Sequence, residues 1–195
     1  MNHRKSKTFL TSLVLVVFIN CASLSKFSAE ESSATQQVSE LMAWGMYGRA
    51  LDFINAKIKN NPDSAELYVA RGAIYARIKK DSLSIKDQNK ALELLEESPS
   101  KDSEMVKANA LHNRAGIYAR MKKYPDAESD YKRAVTIYPG NSISYLELGR
   151  LQLKQKRYSE AKESLSKARE LFLKQSGTKD AEEAEKLIKK IEKKS

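Results

Sequence analysis

The sequence is poor in residues that end helices and in residues that bind metals. It has 7 glycines and 4 prolines among 195 residues, whereas an all-β protein needs many turn residues between short strands. A single cysteine excludes an intramolecular disulfide, and one cysteine with two histidines cannot supply the four ligands of a Cys/His zinc site. No glycine-rich phosphate loop is present. These absences favour a helical protein without a structural metal.

The charge balance points to acidic partners. Charged residues make up 31% of the chain and hydrophobic residues 41%, and the formal net charge is +10. Three of the positive charges, Arg4, Lys5 and Lys7, lie in an N-terminal segment that we expect to be removed, so the remaining excess is moderate. Such an excess favours acidic proteins or an anionic membrane surface and does not by itself indicate nucleic acid.

The N-terminus has the pattern of an export signal. A basic segment precedes the apolar run Phe9–Ile19, and Cys21 follows shortly after it. The run has eleven residues, whereas a membrane-spanning helix needs about twenty. We therefore predict a signal peptide over residues 1–20. Residues 21–35 contain several serines and few apolar side chains, which is typical of a flexible tether.

A cysteine directly after such a run resembles the signal of bacterial lipoproteins, in which this cysteine receives a diacylglycerol and becomes the new N-terminus. The family usually has leucine three positions earlier and a small residue directly before the cysteine, where this sequence has Phe18 and Asn20. The resemblance implies lipid attachment at Cys21 and a membrane-anchored protein facing the periplasm or the cell surface. Two alternatives stay open: a soluble periplasmic protein, or an uncleaved anchor or cytoplasmic protein.

An internal repeat organises the rest of the chain. Ala70–Lys80 and Asn113–Lys123 are identical at seven of eleven positions. Further pairs of like residues are 34 apart: Tyr124 and Tyr158, Ala127 and Ala161, and Ala134 and Ala168. A period of about 34 residues with two helices per unit is the length of the tetratricopeptide repeat.

The pattern of small and aromatic residues resembles the tetratricopeptide-repeat family. The third unit carries it most fully, with Ala115, Tyr118, Tyr124, Ala127, Tyr131, Ala134 and Pro139. Small residues let two helices cross closely, and tyrosines fill the space around the crossing. The resemblance implies an all-α protein, a right-handed α-solenoid of helical hairpins. We predict four units, over residues 36–62, 65–96, 105–139 and 142–175.

The units depart from the pattern in informative places. About nine extra residues separate the second and third units, around residues 96–104. The second unit has Asp81, Ser84 and Gln88 where aromatic or small residues are usual, so we expect its second helix to pack least well. Residues 178–195 have an apolar stripe and charges elsewhere, which predicts a capping helix for the open end of the stack. A basic membrane-surface helix is the alternative, although the stripe lacks aromatic anchors.

In tetratricopeptide-repeat proteins the first helix of each unit lines a concave groove that binds a peptide or a partner protein. Carried over by register, the predicted groove residues are Glu66, Val69, Ala70, Ala73, Arg77, Asn109, His112, Asn113, Gly116, Arg120, Ile143, Leu146, Glu147, Arg150 and Lys154. Arg77, Arg120 and Lys154 occupy equivalent places and form a basic row. The row could hold carboxylates by charge-assisted hydrogen bonds, or it could be a solvated row of long side chains.

The family's two-carboxylate clamp is absent. Asn113 fits its middle position, but Val69, Ala73, Ile143 and Glu147 occupy places where the clamp needs cationic or amide side chains.

The sequence predicts no catalysis, no cofactor and no metal site, because His112 has no nucleophile motif near it. We expect a protein-interaction scaffold or adaptor at the bacterial cell envelope, with a protein or peptide ligand and no nucleic acid. The alternatives are a basic binder of an anionic polymer or a membrane surface, and a non-catalytic subunit of an envelope assembly or secretion complex. The oligomeric state stays open.

Overall fold

A computed structural model describes residues 34–97 and 103–193. The predicted signal peptide, Cys21 and nearly all of the tether lie outside the described residues. Within them the secondary structure is entirely helical. The helices are α1 over residues 34–43, α2 Tyr47–Asn60, α3 Ala65–Arg77, α4 Asp81–Glu97, α5 Ser103–Arg120, α6 Tyr124–Ile137, α7 Ser142–Lys154, α8 Tyr158–Lys174 and α9 Thr178–Glu192.

Consecutive helices pair and stack into two layers. The helix pairs α3–α4, α5–α6 and α7–α8 contact one another along the chain, and α9 packs on α8. The odd-numbered helices α3, α5, α7 and α9 also contact their odd-numbered neighbours, whereas α2, α4, α6 and α8 do not contact each other. The odd helices therefore form an inner layer and the even helices an outer one. This arrangement confirms the predicted all-α solenoid.

Small residues permit the close crossing within each pair. A Cβ atom on Gly149 would lie 2.7 Å from Cγ of Leu165, and one on Gly72 would collide with the side-chain amide of Gln88. Ala115 holds the equivalent place in the third unit and is completely buried. The short distance between paired helices therefore requires a small residue at each of these three positions.

The second helix of the second unit has polar side chains in its core. Ser84 and Gln88 are completely buried. Ser84 Oγ donates a hydrogen bond to the carbonyl of Gly72 at 2.7 Å, and Gln88 Nε2 donates to the carbonyl of Val69 at 3.3 Å. Gln88 Oε1 is the one buried side-chain polar atom that lacks a partner in the described part of the chain. The departure from the pattern thus produces a polar core with an unsatisfied oxygen, and that this helix packs least well of the four units stays a prediction.

The extra residues between the second and third units lengthen α5. It has 18 residues, whereas the equivalent helices α3 and α7 have 13 each. α4 has 17 residues, as the equivalent helix α8 does. The insertion predicted around residues 96–104 is therefore taken up in large part by α5, which follows residues 98–102, and these five are not among those described.

The turn within each helical pair has a left-handed residue. Gly45 has φ of 72°, and the equivalent residues Lys79, Lys122 and Lys156 have φ of 60°, 62° and 61°. The next N–H donates to a carbonyl five residues back, as from Lys80 to Tyr75 at 2.9 Å. These are Schellman motifs, which satisfy helix-end carbonyls. A left-handed conformation costs a non-glycine residue about 1 kcal/mol relative to glycine. Three of the four turns nevertheless have lysine at this position.

Two arginines fix the spacing between units. The guanidinium of Arg114 forms a bidentate pair with the carboxylate of Asp130, with Nε–Oδ2 of 2.7 Å and Nη2–Oδ1 of 2.8 Å. Its Nη1 donates to Asn89 Oδ1 of the preceding unit at 2.6 Å. We call this arrangement a guanidinium fork. The hydrogen bond with Asp130 raises the pKa of the Arg114 guanidinium. The second unit repeats this arrangement through Arg71, which contacts Asp87 and Asn55. Each fork therefore joins three helices.

The last helix closes the described end of the stack, as predicted. Its apolar stripe is buried against Leu165, Ala168 and Phe172 of α8. The stripe consists of Ala181, Ala184, Ile188 and Ile191. These contacts place the helix as a cap in the solenoid.

We predict that Arg114→Leu lowers the free energy of unfolding by about 2–4 kcal/mol, because it removes both short hydrogen bonds from the buried carboxylate of Asp130 and leaves only Arg133, at 3.8 Å, as its cation. The side chains of Arg114 and Asp130 are 15% and 5% exposed, respectively. Chemical denaturation measures the change. Lys167→Ala is the control, since it breaks the exposed pair with Glu170 and should cost less than about 0.5 kcal/mol. Equal effects of the two changes would contradict a stabilising role for the fork.

Candidate functional site

The inner layer of odd helices contains a cavity of about 270 Å³ between α1, α3 and α5. Five predicted groove residues meet there, namely Glu66, Val69, Ala70, Ala73 and Asn109. The remaining lining residues are Thr35, Val38, Ser39, Met42, Met105 and Val106. These six were not predicted from the sequence. Residues 35, 38, 39 and 42 repeat the spacing of 66, 69, 70 and 73, and this spacing could have identified the contribution of α1.

The cavity has an apolar floor and a polar rim. Val38 and Val106 are buried, whereas Met105 is 51% exposed at its edge. Glu66 accepts a hydrogen bond from Ser64 Oγ at 3.2 Å, and Asn109 is exposed. Such a cavity suits one apolar side chain of a ligand, with a carboxylate and an amide available to polar groups beside it.

The inner layer has a second, more polar part between the third and fourth units. Arg150 Nη1 donates to Glu147 Oε1 at 2.5 Å, and the same guanidinium pairs with Glu183 of α9. Burial raises the pKa of Glu147, while Arg150 opposes the shift. A cavity of about 160 Å³ lies beside this network and is also lined by Tyr124, Tyr131 and Lys154. The opposite charges largely neutralise one another here.

His112 joins α5 to α7. Its Nδ1 lies 3.0 Å from Ser144 Oγ, and its ring lies 5.6 Å from that of Tyr131. Burial lowers the pKa of His112 to about 4, so the imidazole is neutral near pH 7. Asn113 and Gly116 are half-buried on the same helix. The geometry gives His112 a contact between units rather than a free surface.

One predicted groove residue belongs to the core. Leu146 is 3% exposed and packs among the buried side chains of α8 and α9. The cap α9 contacts α7 as well as α8, and it thereby covers the side chain of Leu146. Its neighbour Ile143 is 49% exposed. Leu146 is therefore withdrawn from the set of groove residues.

The basic row is largely used within the molecule. Arg120 pairs with Asp81, the first residue of α4, with Nε–Oδ2 of 3.3 Å. Lys154 Nζ lies 4.8 Å from the ring of Tyr124, the first residue of α6. Each cation thus contacts the preceding unit. Arg77 is exposed and has no ion-pair partner among the described residues. Arg120 and Lys154 are nevertheless exposed, so whether the row binds carboxylates of a ligand or is only solvated stays a prediction.

The described residues hold no cluster of three His, Cys, Asp or Glu side chains that could bind a metal ion.

We predict that the stability of the protein falls between pH 7.5 and pH 5. The pKa of His112 is about 4 when folded, against about 6.5 when unfolded. Below pH 6.5 the unfolded state therefore binds more protons, and stability that is present above this pH is lost toward pH 4. The loss attributable to His112 is about 2 kcal/mol at pH 5. Chemical denaturation at both pH values measures it.

His112→Gln should remove this part of the pH dependence while leaving that of the carboxylates. An unchanged profile in the variant would show that His112 titrates normally in the folded protein. The other histidine, His3, lies outside the described residues. It should be replaced by glutamine both in the protein that keeps His112 and in the His112→Gln variant, so that His112 is the single histidine that differs between them.

Comparison with known proteins shows what the chain resembles. Dynein axonemal assembly factor 4 of Rattus norvegicus is 30% identical over 105 residues, which are 54% of this chain and 25% of that protein. The chain thus spans about a quarter of the length of this relative. The similarity concerns a segment of that protein and not the whole of it.

Two solved structures share the fold. The complex described as the TPR2B domain of yeast Sti1 with pHsp70 has a TM-score of 0.57 and 23% identity, over 67% of this chain and 98% of that one. The Cut9–Hcn1 hetero-tetramer of the APC/C has a TM-score of 0.65 and 14% identity, over 79% and 29%. At these identities the likeness concerns the fold alone.

The family model described as tetratricopeptide repeat matches residues 63–140 and 106–174. Together the two matches cover more than half of the sequence, and they coincide with the helical pairs from α3 to α8. The chain therefore belongs to the tetratricopeptide-repeat family.

Proposed function

We propose that this protein is a scaffold that binds a peptide or an extended segment of a partner protein along its inner layer of odd helices. The observation that carries the proposal is the cavity between α1, α3 and α5, to which three successive units contribute side chains. The neighbouring structure of the Sti1 domain, described as a complex with pHsp70, supports a binding function for this fold.

The lining of the cavity defines the ligand that it would take. Val69, Ala70 and Ala73 form an apolar wall, and two of them stand where the carboxylate clamp needs polar side chains. An acidic peptide terminus would therefore leave its charge unpaired against this wall. An apolar anchor side chain fits better, with a basic or hydrogen-bonding group of the ligand placed near Glu66 and Asn109.

The proposed scaffold would act by binding. His112 is neutral and contacts Ser144, and no carboxylate among the described residues hydrogen-bonds this pair as a catalytic triad would require. A non-catalytic subunit of an envelope assembly or secretion complex is a more specific form of the same proposal.

We further propose that the protein is exported to the bacterial cell envelope and anchored by lipid on Cys21, with a soluble periplasmic protein as the alternative. The support is the N-terminal pattern of basic residues, apolar run and cysteine. No helix in the described ranges is long and apolar enough to span a bilayer.

We predict that Ala73→Arg weakens peptide binding at least about tenfold, because its side chain would occupy the cavity that receives the anchor. Peptides selected from a random library on the purified protein supply the ligand, and calorimetry measures its affinity. Leu83→Arg is the matched control, since Leu83 is 42% exposed on the outer helix α4. Equal affinities of the two variants would contradict the groove assignment.

We predict a diacylglycerol on Cys21 when the full chain is expressed in a bacterium. Mass spectrometry of the N-terminal peptide detects the added mass, and Cys21→Ser should abolish it. An unmodified cysteine in the mature protein would contradict anchoring through this residue.

A further inference from the structure

The two edges of the solenoid differ in charge. The turns within the four helical pairs comprise residues 44–46, 78–80, 121–123 and 155–157, and together they form what we call the turn edge. It contains no acidic residue and six cations, namely Lys79, Lys80, Lys122, Lys123, Lys156 and Arg157. The described linkers between successive pairs, residues 61–64, 138–141 and 175–177, contain no lysine or arginine. Among the turns and the described linkers, the cations therefore lie on the turn edge.

The five lysines of the turn edge are exposed, and none has an ion-pair partner among the residues that the structure describes. Arg157 differs, because it donates to Glu128 at 2.6 Å and also pairs with Glu160. The lysines thus keep their charge available to a ligand. Since unpaired like charges repel one another, an anionic ligand along this edge would be bound favourably.

Three lysines of the turn edge have an unusual backbone conformation. Lys79, Lys122 and Lys156 all have φ near 60°, a conformation that favours glycine. Glycine occupies the equivalent place only in the first turn, at Gly45. Strained residues of this kind are concentrated at functional sites. The conformation itself belongs to the helix-end motif, since Ser176 after α8 also has a φ of 61°. The choice of lysine at three equivalent places is what repeats a positive charge from unit to unit.

The neighbouring turns are held in a line by contacts between units. Arg120 joins the third turn to Asp81 beside the second, and Lys154 joins the fourth turn to Tyr124 beside the third. The lysines are therefore presented together on one side of the molecule.

Apolar side chains are exposed on the same edge. Trp44 is 73% exposed, Met121 44% and Met46 36%, and all three lie in the turns themselves. Tryptophan has an apolar ring and a polar N–H, which suit the boundary between lipid headgroups and acyl chains. Basic residues beside such a ring are the combination found in segments that lie on anionic membranes.

We propose that the turn edge docks on an anionic lipid surface, with the lysines against the headgroups and Trp44 and the two methionines inserted at the boundary. Each lysine near such a surface contributes favourably, and the contributions accumulate along the row. A single-stranded nucleic acid would instead need aromatic side chains spread along the basic row for stacking, and Trp44 is at one end. The proposal goes beyond the groove function and does not depend on lipid at Cys21.

The test uses the full chain and vesicles of phosphatidylcholine, with or without an equimolar share of phosphatidylglycerol. The variant is Lys79→Gln/Lys122→Gln/Lys156→Gln. Its matched control is Lys59→Gln/Lys86→Gln/Lys190→Gln, which removes the same charge from exposed lysines outside the turn edge. We expect affinity for the anionic vesicles to fall about fivefold per lysine, so roughly 100-fold in the variant, and far less in the control.

Trp44 reports the docking directly, because it is the single tryptophan of the chain. Its fluorescence should shift to the blue on anionic vesicles and be quenched by brominated lipids. Lys80→Gln/Lys123→Gln is a second variant that avoids the left-handed positions, and it should lose roughly 25-fold. Circular dichroism verifies that each variant is folded.

Three results would overturn the proposal. The first is equal loss of binding in the variant and its control, and the second is tight binding to neutral vesicles that no lysine change affects, as insertion of the N-terminal apolar run would give. The third is binding to heparin with the same lysine dependence while Trp44 stays unquenched by lipid, which would assign the edge to an anionic polymer.

Discussion

No helical pair of this protein buries its own apolar face, and the whole solenoid depends on the neighbour that covers it. The cluster around Leu95 and Leu111 draws side chains from the second and third units alike. At the far end the same requirement is met by α9, whose stripe covers Leu165 and Phe172. Because stability arises at interfaces between units, the length of the stack and its cap are parts of one constraint.

Apolar contact alone would let successive pairs rotate or slide against each other, because it has no direction. The guanidinium forks supply that direction. Arg114 satisfies Asp130 in its own unit and Asn89 in the preceding one, and planar bidentate geometry admits few orientations. The fourth unit lacks this fork, with Leu148 and Ser164 at the equivalent places. There, Arg150 links Glu147 to Glu183 of the cap instead. The curvature that shapes the inner layer thus depends on polar side chains as much as on the core.

The sequence was sufficient to predict features that depend on one unit or on its repetition. The period, the small residues at the helix crossing and the amphipathic cap all follow from spacing along the chain. The forks could have been found in the same way, because Arg71–Asp87 and Arg114–Asp130 have the same separation of sixteen residues. The burial of Leu146 could not have been predicted from the sequence, because it depends on how far α9 extends across α7. The partners of Arg120 and Lys154 likewise depend on the angle between units, which no local pattern contains.

The inner layer and the turn edge differ in how many of their cations are paired within the molecule. Those in the last turn of α5 and α7 are directed to the preceding unit, and Arg150 is held between two carboxylates, so the inner layer retains little free positive charge. The lysines two or three residues further along lie in the turns after these helices and have no ion-pair partner among the described residues. An apolar peptide in the inner layer and an anionic surface at the turn edge would therefore contact different side chains. A scaffold built in this way can hold a partner and a surface at once, since neither ligand needs the atoms that bind the other.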